Sequence, residues 1–512
     1  MLTPKSYGQD VVELSVSAWF YRNKAIAGFD NPARSLYVAI RELVENSLDA
    51  CEDARVLPEV TVLLRRKEDV SGLDILSQGP EVFELIIKDN GTGIPHKKIS
   101  RLLGKMLTGT KFTQRQSRGT FGLGGSLALL YGQVTTQEPI EIVTGQKGKE
   151  IGHQIKMRLD IDHNEPIIIE DQEISKSVDE HGTMVSFHLQ GDWIRSKRRI
   201  VDYFTQTAII VPNASLFFEM PDNEILKFDR VIELIQEPSK ESKPHPKGID
   251  VEMLKSIIAL TKKTTLKSFM MSTFQRVGDK KAEEFLEFIG FDKERRPDSL
   301  QQEELVRVMN ALEYFDGFLP PSAHSLSPAG IEILMAGTRR LNPEFVVFRQ
   351  RPPTVNEGHP FIIETGIAYG GEIGAGISLI RFANRIPLLY DERSDVTYRV
   401  VRDLNLKNYG LRPEDPITFV MHICSTKIPY KTVGKEYIGD IDVVRKEIEL
   451  GFKDCLRELG EKLRKRHRVQ REHRRENRLI TYYRFVAETL QKATGREVSI
   501  NALFRELGGE EE

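Results

Sequence analysis

The sequence has few cysteines, no long apolar run and almost no net charge, and each of these absences excludes a class of protein. Its three cysteines are Cys51, Cys424 and Cys455, and none belongs to a CxxC pair. We therefore expect neither a disulfide framework nor a cysteine zinc site, and a reducing compartment fits. No apolar stretch approaches the roughly 20 residues that span a bilayer, and the N-terminus does not resemble a signal peptide. These features predict a soluble, intracellular protein without a membrane segment.

The charge balance excludes a protein that is basic throughout. Lys and Arg number 73 and Asp and Glu 75, which leaves a formal charge of -2, so binding to nucleic acid would need local basic patches. The 40% hydrophobic and 29% charged residues are ordinary for globular proteins. At roughly 150 residues per domain, 512 residues predict about three or four domains.

The first part of the chain mixes helical and strand patterns. Residues 35–54 contain no Gly or Pro and carry apolar side chains at helical spacing, which predicts an amphipathic helix. Runs rich in β-formers begin at Val60, Phe83, Ile140 and Met184. Because these elements do not alternate regularly, we expect an α+β sandwich.

A polar, Pro-rich stretch near Gln236 predicts a linker. Four short helical patterns follow in residues 251–315 and indicate a small helical module. A second mixed segment begins near Ser322, and a long helical pattern begins near Val443. The pattern therefore predicts two α+β units that flank a helical module.

A polar stripe lies on the first predicted helix. Glu42, Asn46 and Asp49 are spaced four and three residues apart, so they project from one face. An amide oxygen can bind magnesium, and a carboxylate that is free of the metal can accept a proton from water. The alternative is a solvent-exposed helix face without chemistry.

The next pattern places an acidic residue at a strand end. The strand from Phe83 leads into Asp89-Asn90-Gly91-Thr92-Gly93, whose glycines allow a close backbone approach to a ligand. A carboxylate held there accepts hydrogen bonds only, which suits an exocyclic amine such as that of adenine. A simple turn without a ligand is the alternative.

A glycine-rich segment from Gly119 to Ser126 leads into a helical pattern at residues 127–131. Glycines that open a helix expose backbone N–H groups, which bind phosphate. The spacing fits neither a dinucleotide fingerprint nor a Walker loop, and a glycine cluster alone is weak evidence. The upstream stretch with Thr110 and Lys111 is a candidate lid.

Taken in order, these motifs are similar to those of the GHKL (Bergerat) ATPase superfamily. The order is a helix with Glu42 and Asn46, a DNGTG turn with Asp89, a glycine loop that opens a helix, and the sequence HGT at residues 181–183. The resemblance implies that Glu42 is the general base, Asn46 the magnesium ligand and Asp89 the adenine contact. The other residues that it places around ATP are Gly93, Thr110, Lys111, Gly119, Thr120, Phe121, Gly122, Leu123, Gly124, Gly125, Ser126 and Thr183.

The second α+β unit resembles the transducer domain of the B subunits of DNA topoisomerase VI. The similar stretches are GHPFIIETGIAYGG at residues 358–371, NRIPLLYD at residues 384–391 and HICSTKIPYKTVGKE at residues 422–436. In that family a transducer lysine reaches the γ-phosphate. We assign this role to Lys427, with Lys431 and Lys435 as alternatives.

The resemblance implies four domains. These are a GHKL ATPase domain with an N-terminal dimerisation strap (1–235), a helix-two-turn-helix domain (249–318), a transducer of ribosomal-protein-like α+β fold (319–470) and a C-terminal helical tail that docks on the DNA-cleaving A subunit (471–512). The helical module either contacts DNA or acts as a spacer. The basic run at residues 462–475 either meets DNA phosphates or is a solvated helix face.

The activity that the resemblance implies is ATP-gated double-strand passage, which relaxes and decatenates duplex DNA. The cofactors are then ATP and magnesium, and the chain dimerises on ATP. Cleavage is supplied by the A subunit of topoisomerase VI in an A2B2 heterotetramer, in the cytoplasm and associated with the nucleoid. A MutL-like mismatch-repair ATPase and a GHKL chaperone-type clamp are the alternatives.

Overall fold

The computed structural model describes residues 22–67, 80–105, 115–119, 124–161, 163–247, 249–320, 322, 324–432, 435–495 and 499. Six of the expected nucleotide contacts lie outside these ranges: Thr110, Lys111, Thr120, Phe121, Gly122 and Leu123. Residues 1–21, at the N-terminal end where the dimerisation strap is expected, and residues 500–512 of the expected C-terminal tail also lie outside them.

The first unit is a twisted sheet with helices on one face. Its strands are β1 (Glu59–Arg66), β2 (Glu81–Asp89), β3 (Ile140–Gly145), β4 (Ile151–Asp160), β5 (Glu165–Ser175), β6 (Gly182–Gly191), β7 (Ser215–Glu219) and β8 (Ile225–Phe228). Its helices are α1 (Pro32–Ala54), α2 (His96–Gly104), α3 (Gly124–Thr136) and α4 (Trp193–Ile210). The strand order is β5-β4-β3-β6-β2-β1-β7-β8, and neighbours are antiparallel except for β1 and β7. This sheet and its helices share the largest hydrophobic core.

Helix α1 begins and ends at residues with clear capping roles. The side chain of Asn31 accepts a hydrogen bond from the Arg34 backbone N–H, and Pro32 occupies the first turn, where its missing N–H costs nothing. The helix stops at Arg55, which adopts a left-handed conformation with φ of 53°. Fourteen of its 23 residues are buried, so α1 is a central element of the fold.

The alternation of β2 brings a carboxylate to the core side of the sheet. Phe83, Leu85 and Ile87 are buried at every second position, and Asp89 continues the same series. The two-residue period of the strand therefore places Asp89 beneath the helices that cover this face.

The predicted helical module is present. Its helices are α5 (Val251–Leu260), α6 (Leu266–Thr273), α7 (Asp279–Ile289) and α8 (Gln302–Tyr314). They enclose their own core, in which Phe269, Phe274 and Phe285 are fully buried. The predicted linker near Gln236 precedes these helices. It is attached to the start of the second α+β unit, because the Lys240 N–H donates to the Ser325 carbonyl oxygen.

The second α+β unit is built on a smaller sheet. Its strands are β9 (Phe345–Gln350), β10 (Thr354–Asn356), β11 (His359–Tyr369), β12 (Ile377–Ala383), β13 (Ile386–Pro387) and β14 (Ile417–Ser425). Its helices are α9 (Ile331–Thr338), α10 (Val396–Asp403) and α11 (Asp442–Thr494). The order is β10-β11-β14-β12-β13, with β9 also paired to β11. The mixed α+β architecture that the sequence predicts is confirmed.

Helix α11 is a single helix of 53 residues. Its first half packs on the smaller sheet through apolar residues three or four positions apart: Val444, Ile448, Phe452, Leu456, Leu459 and Leu463. Beyond Leu463 most of its side chains are exposed. The expected domain boundary at residues 470/471 therefore falls inside one continuous helix.

Among the residues that the structure describes, no helix combines the length and apolarity of a bilayer-spanning segment.

The two sheets are joined through α9 and α4. Phe348, Phe382 and Val420 of the smaller sheet belong to the same core as the larger sheet. Gly337 on α9 lies so close to α4 that a Cβ atom there would be 1.8 Å from the Ile209 carbonyl oxygen. The joint between the units therefore depends on a position without a side chain.

We expect the Gly337→Ala substitution to destabilise the chain by about 1–3 kcal/mol, because the backbone of α4 would have to move. The matched control is Gly278→Ala, since a Cβ at Gly278 meets no atom within 4 Å. Thermal and urea unfolding would measure the difference. Equal stability of the two variants would contradict the packing of α9 on α4.

Candidate active site

A cluster of four buried charges includes three residues of α1. Glu42 and Glu45 are 8% and 2% exposed, whereas Asn46 is exposed and Asp49 is half-buried, so only part of the polar stripe is in contact with solvent. Arg41 Nη2 donates to Glu42 Oε1 over 2.5 Å, and Arg41 Nε lies 3.6 Å from Glu45 Oε1. Lys435 Nζ, which comes from the second unit, lies 3.6 Å from both Glu42 Oε1 and Glu45 Oε2. The two carboxylates thus face two cations.

Burial dominates the proton affinities in this cluster. Loss of water raises the pKa of Glu45 to about 7, although the positive charge of Lys435 acts in the opposite direction. Burial alone would lower the pKa of Arg41, but the attraction of Glu42, followed by that of Tyr37 and Glu45, raises it well above its ordinary value. Arg41 therefore keeps its charge beside the two acids.

The three candidate lysines occupy different places. Lys427 Nζ pairs with Glu357 Oε2 over 3.0 Å, and the Lys427 side chain is 58% exposed. Lys431 is exposed as well. Lys435 is 7% exposed, and its Nζ also donates to the Arg118 carbonyl oxygen over 3.0 Å. The geometry does not bring Lys427 to Glu42 and does bring Lys435 there, because the chain turns inward between them.

The start of α3 lies directly over the polar stripe of α1. A Cβ at Gly124 would be 1.7 Å from Glu42 Oε2, and one at Gly125 would be 2.7 Å from Asn46 Nδ2. Ser126, in the same first turn, is buried. An α-helix N-terminus carries N–H groups without helical partners and a partial positive charge, which is the environment that a phosphate needs. The stretch of α1 with Glu42 and Asn46 therefore faces a helix N-terminus whose electrostatics suit an anion.

Asp89 is held in one orientation by the protein. Its Oδ1 accepts hydrogen bonds from the backbone N–H groups of Gly91 at 2.8 Å and Thr183 at 3.1 Å. Burial raises the pKa of Asp89, and the bonds from Gly91, the Ser47 side chain and Thr183 counteract this effect. A carboxylate has about four acceptor positions, so three protein donors leave capacity for an amine of a ligand.

Two glycines allow the strands around Asp89 to approach one another. Gly93 has a φ of 67°, and a Cβ there would lie 2.1 Å from the Gly145 carbonyl oxygen. Gly182 has a φ of 128°, and a Cβ there would lie 2.0 Å from the Asp89 carbonyl oxygen. Neither position accepts another residue without displacing backbone.

Thr183 has a partner that the sequence did not indicate. The register of β3 and β6 pairs Thr144 with Thr183, and their hydroxyl oxygens lie 3.1 Å apart. Thr144 Oγ1 also donates to the Gly182 carbonyl oxygen and accepts from the Ile94 N–H. Thr144 therefore links the strand of Thr183 to the loop after Asp89.

A second buried ion-pair cluster links the glycine loop to the smaller sheet. Arg118 Nη1 binds Asp49 Oδ1 at 2.7 Å, and Arg118 Nη2 binds Glu52 Oε1 at 2.5 Å. Arg385, from the turn between β12 and β13, binds the same Glu52 oxygen at 2.9 Å. Burial by itself would raise the pKa of Glu52, but the two guanidinium groups lower it below its ordinary value. Gly119 follows Arg118 directly.

Among the described residues, the expected site is assembled from separate elements. Glu42 and Asn46 lie under Gly124 and Gly125, while Asp89, Gly93 and Thr183 meet at the ends of β2 and β6. Sequence analysis did not assign Arg41, Glu45 or Thr144. The three-residue spacing of Glu42 and Glu45 was a usable signal for Glu45, whereas Thr144 depends on strand register, which the local sequence does not display.

Comparison with known proteins identifies similar chains in both units. Residues 31–191 match the family model of histidine kinase-, DNA gyrase B- and HSP90-like ATPases, and residues 321–475 match that of the topoisomerase VI B subunit transducer. The B subunit of type 2 DNA topoisomerase 6 from Metallosphaera sedula is 38% identical over 480 residues, which cover 93% of this chain and 88% of the relative. The corresponding proteins of Sulfurisphaera tokodaii and Saccharolobus solfataricus are also 38% identical, with the same coverage.

A solved structure with a weaker similarity is the 43K ATPase domain of Thermus thermophilus gyrase B in complex with an aminocoumarin. It aligns with a TM-score of 0.42 and 13% identity, over 91% of this chain and 98% of that chain.

We expect the Gly124→Ala substitution to reduce ATP turnover by about 10²-fold or more, because the added Cβ would displace the Glu42 carboxylate. Because Glu42 belongs to a buried ion cluster, the melting temperature should also fall, and turnover is compared at a temperature at which circular dichroism shows both variants folded. Gly374→Ala is the control, since a Cβ at Gly374 meets no atom within 4 Å. Unchanged turnover in the Gly124 variant would contradict the placement of α3 over Glu42.

Proposed function

The chain belongs to the family of type 2 DNA topoisomerase 6 B subunits, and we propose that it is the component that binds and hydrolyses ATP to drive passage of one DNA duplex through another. The observation that carries the proposal is the buried pair of Glu42 and Lys435 beneath the glycine-led start of α3. A base, a cation and a phosphate-binding helix end are the parts that hydrolysis of a terminal phosphate needs.

In this proposal Glu42 accepts a proton from the attacking water. Its buried carboxylate is hydrogen-bonded by Arg41 Nη2, which fixes its position. A positioned base of this kind typically contributes a factor of about 10²–10⁴ to the rate. Asp89 and Thr183 are assigned to the adenine, and the N–H groups at Gly124, Gly125 and Ser126 to the phosphates.

Magnesium is assigned to Asn46. Its amide adjoins the first turn of α3, because a Cβ at Gly125 would be 2.7 Å from Asn46 Nδ2, and a neutral amide oxygen is a suitable magnesium ligand. When bound, magnesium neutralises charge on the nucleotide phosphates. Asn46 would hold the ion beside Glu42 and leave that carboxylate free to act as a base.

Lys435 is our assignment for the lysine that senses the terminal phosphate, in place of Lys427. Its ammonium group already lies at the site and is paired with Glu42 and Glu45. A phosphate offers a competing anion, so nucleotide binding would transfer the lysine from carboxylate to phosphate and pull the second unit with it. The neighbouring Glu436 pairs with Arg34 at the start of α1. This ion pair gives the second unit another connection to α1, so a movement of Lys435 would be passed to that helix.

The remaining assignments rest on the membership of the chain in this family. We propose ATP-dependent pairing of two copies, an A2B2 assembly with the A subunit of topoisomerase VI, which cleaves the DNA, and a location in the cytoplasm on the nucleoid. The exposed end of α11 and the residues after it are assigned to docking on that DNA-cleaving partner, and the helical module and the basic face of α11 to duplex DNA. The domain limits 1–235, 249–318, 319–470 and 471–512 are kept as functional divisions.

The decisive experiment combines the full chain with the DNA-cleaving partner of a family member, ATP, magnesium and supercoiled plasmid. We expect relaxation of the plasmid and DNA-stimulated ATP hydrolysis. The Glu42→Ala variant should lose about 10²–10⁴-fold in ATP turnover and still form an ATP-dependent dimer, because the base is needed for chemistry and not for binding. Wild-type turnover in this variant would overturn the assignment of Glu42. Absence of relaxation and of dimers with the wild-type chain would overturn the function.

The two lysines provide a paired test. Lys435→Ala should reduce ATP turnover by about 10²-fold, as loss of a single charge-stabilising donor typically does. Lys427→Ala should retain turnover and cost less than about 1 kcal/mol of stability, because an exposed ion pair is weak. Steady-state ATPase assays and thermal melts of both variants would measure this. The reverse ranking would restore Lys427 as the sensor.

A further inference from the structure

A second group of chemically capable side chains lies away from the nucleotide site. His96 is the first residue of α2, His153 lies on β4, and Asp171 lies on β5. One possible ligand atom from each residue lies within 4.8 Å of those of the other two. Three separate elements therefore bring two imidazoles and a carboxylate to one point.

The strand register explains how these groups meet. β4 and β5 pair His153 with Glu173 and Ile155 with Asp171, so all four side chains project from the same face of the sheet. Ile155 is buried in the main core on that face, beneath α2 and its neighbours. Glu173 thus adds a second carboxylate next to the histidine pair.

The contacts within the group satisfy only some of its polar atoms. His96 Nε2 and Asp171 Oδ2 lie 2.8 Å apart, and the rings of His96 and His153 stack with centroids 4.0 Å apart. Within the described part of the chain, the buried His153 Nδ1 has no hydrogen-bond partner. A buried imidazole nitrogen without a partner calls for an explanation, and a bound ion is one.

We propose that His96, His153 and Asp171 form a binding site for a divalent transition metal of the zinc class, with Glu173 adjacent as a further oxygen donor. Two imidazoles and a carboxylate are a ligand set that zinc and related ions accept, whereas magnesium prefers oxygen ligands alone. The site is separate from Asn46, so it would be filled whether or not a nucleotide is bound.

Metal binding requires a modest rearrangement. Tetrahedral zinc with bonds of about 2.0–2.2 Å brings its ligand atoms closer together than 4.8 Å, and the lone pairs of two stacked rings do not converge. The His96 side chain is 43% exposed at the first turn of a helix, so its ring can rotate toward the ion.

The consequence would be a link between α2 and the outer strands of the larger sheet. His96 follows Gly93-Ile94-Pro95, the end of the loop that begins at Asp89. An ion at this point would fasten the helix after that loop to β4 and β5. Zinc should therefore raise the melting temperature of the nucleotide-free chain.

The test uses the full chain without an affinity tag, stripped of metals with a chelator. Cobalt is titrated and followed by its visible absorption, and zinc is titrated against a chromophoric chelator. We expect one equivalent to bind, a higher melting temperature, and an affinity that falls about tenfold or more in His96→Ala, His153→Ala and Asp171→Asn. Excess magnesium should not displace the ion.

The matched control is His163→Ala. His163 lies just after β4, is exposed, and its Nδ1 contacts Asp160 Oδ2 at 2.8 Å, outside the proposed ligand set. This variant should bind metal as the wild type does. His96 is at the surface, so its variant should fold even if the His153 variant does not, and circular dichroism of the metal-free proteins would verify this. Absence of binding, or binding equally strong in wild type and His96→Ala, would overturn the site and leave the nucleotide assignments untouched.

Discussion

The structure depends on the neutralisation of buried charge on one helix. Glu42 and Glu45 lie in the core of the joint between the two units and meet Arg41 from their own helix and Lys435 from the far end of the chain. Removing one member of such a cluster leaves a buried charge and typically costs about 3–5 kcal/mol. Lys435 is thus held against α1 by its pairing with the two carboxylates.

The same face of the helix carries, nearer its C-terminus, a second connection with the same logic. Glu52 accepts guanidinium groups from Arg118, next to the glycine loop, and from Arg385, in the smaller sheet. Arg385 has a φ of 66°, an unfavourable backbone conformation for a residue with a side chain, which surrounding contacts must stabilise. α1 is therefore tied to the second unit at two places along one face, through charge as well as through apolar packing.

Close packing decides how precisely the site is built. Gly124, Gly93 and Gly182 each occupy a position where a single added carbon atom would collide with Glu42, Gly145 or Asp89. The glycines let the backbone segments approach closely, and hydrogen bonds then fix the side chains between them. Two backbone N–H groups, for example, hold the Asp89 carboxylate. Gly124 opens α3, Gly182 opens β6 and Gly93 lies between β2 and α2, so the ends of regular elements fix all three positions.

The spacing of apolar residues alone predicted α1, the strands around Asp89 and the helical module. Helices and strands have periods of 3.6 and 2 residues, which can be recognised from residues that are neighbours in the sequence. The order of the motifs was sufficient for the family and for Glu42, Asn46 and Asp89 as candidates. The sequence pattern favoured Lys427, whereas Lys435 is the lysine that lies beside Glu42. The pattern also did not pair Thr144 with Thr183 or bring His96 to His153. Those placements depend on strand register and on how a loop turns inward, which are set by contacts between residues far apart in the chain.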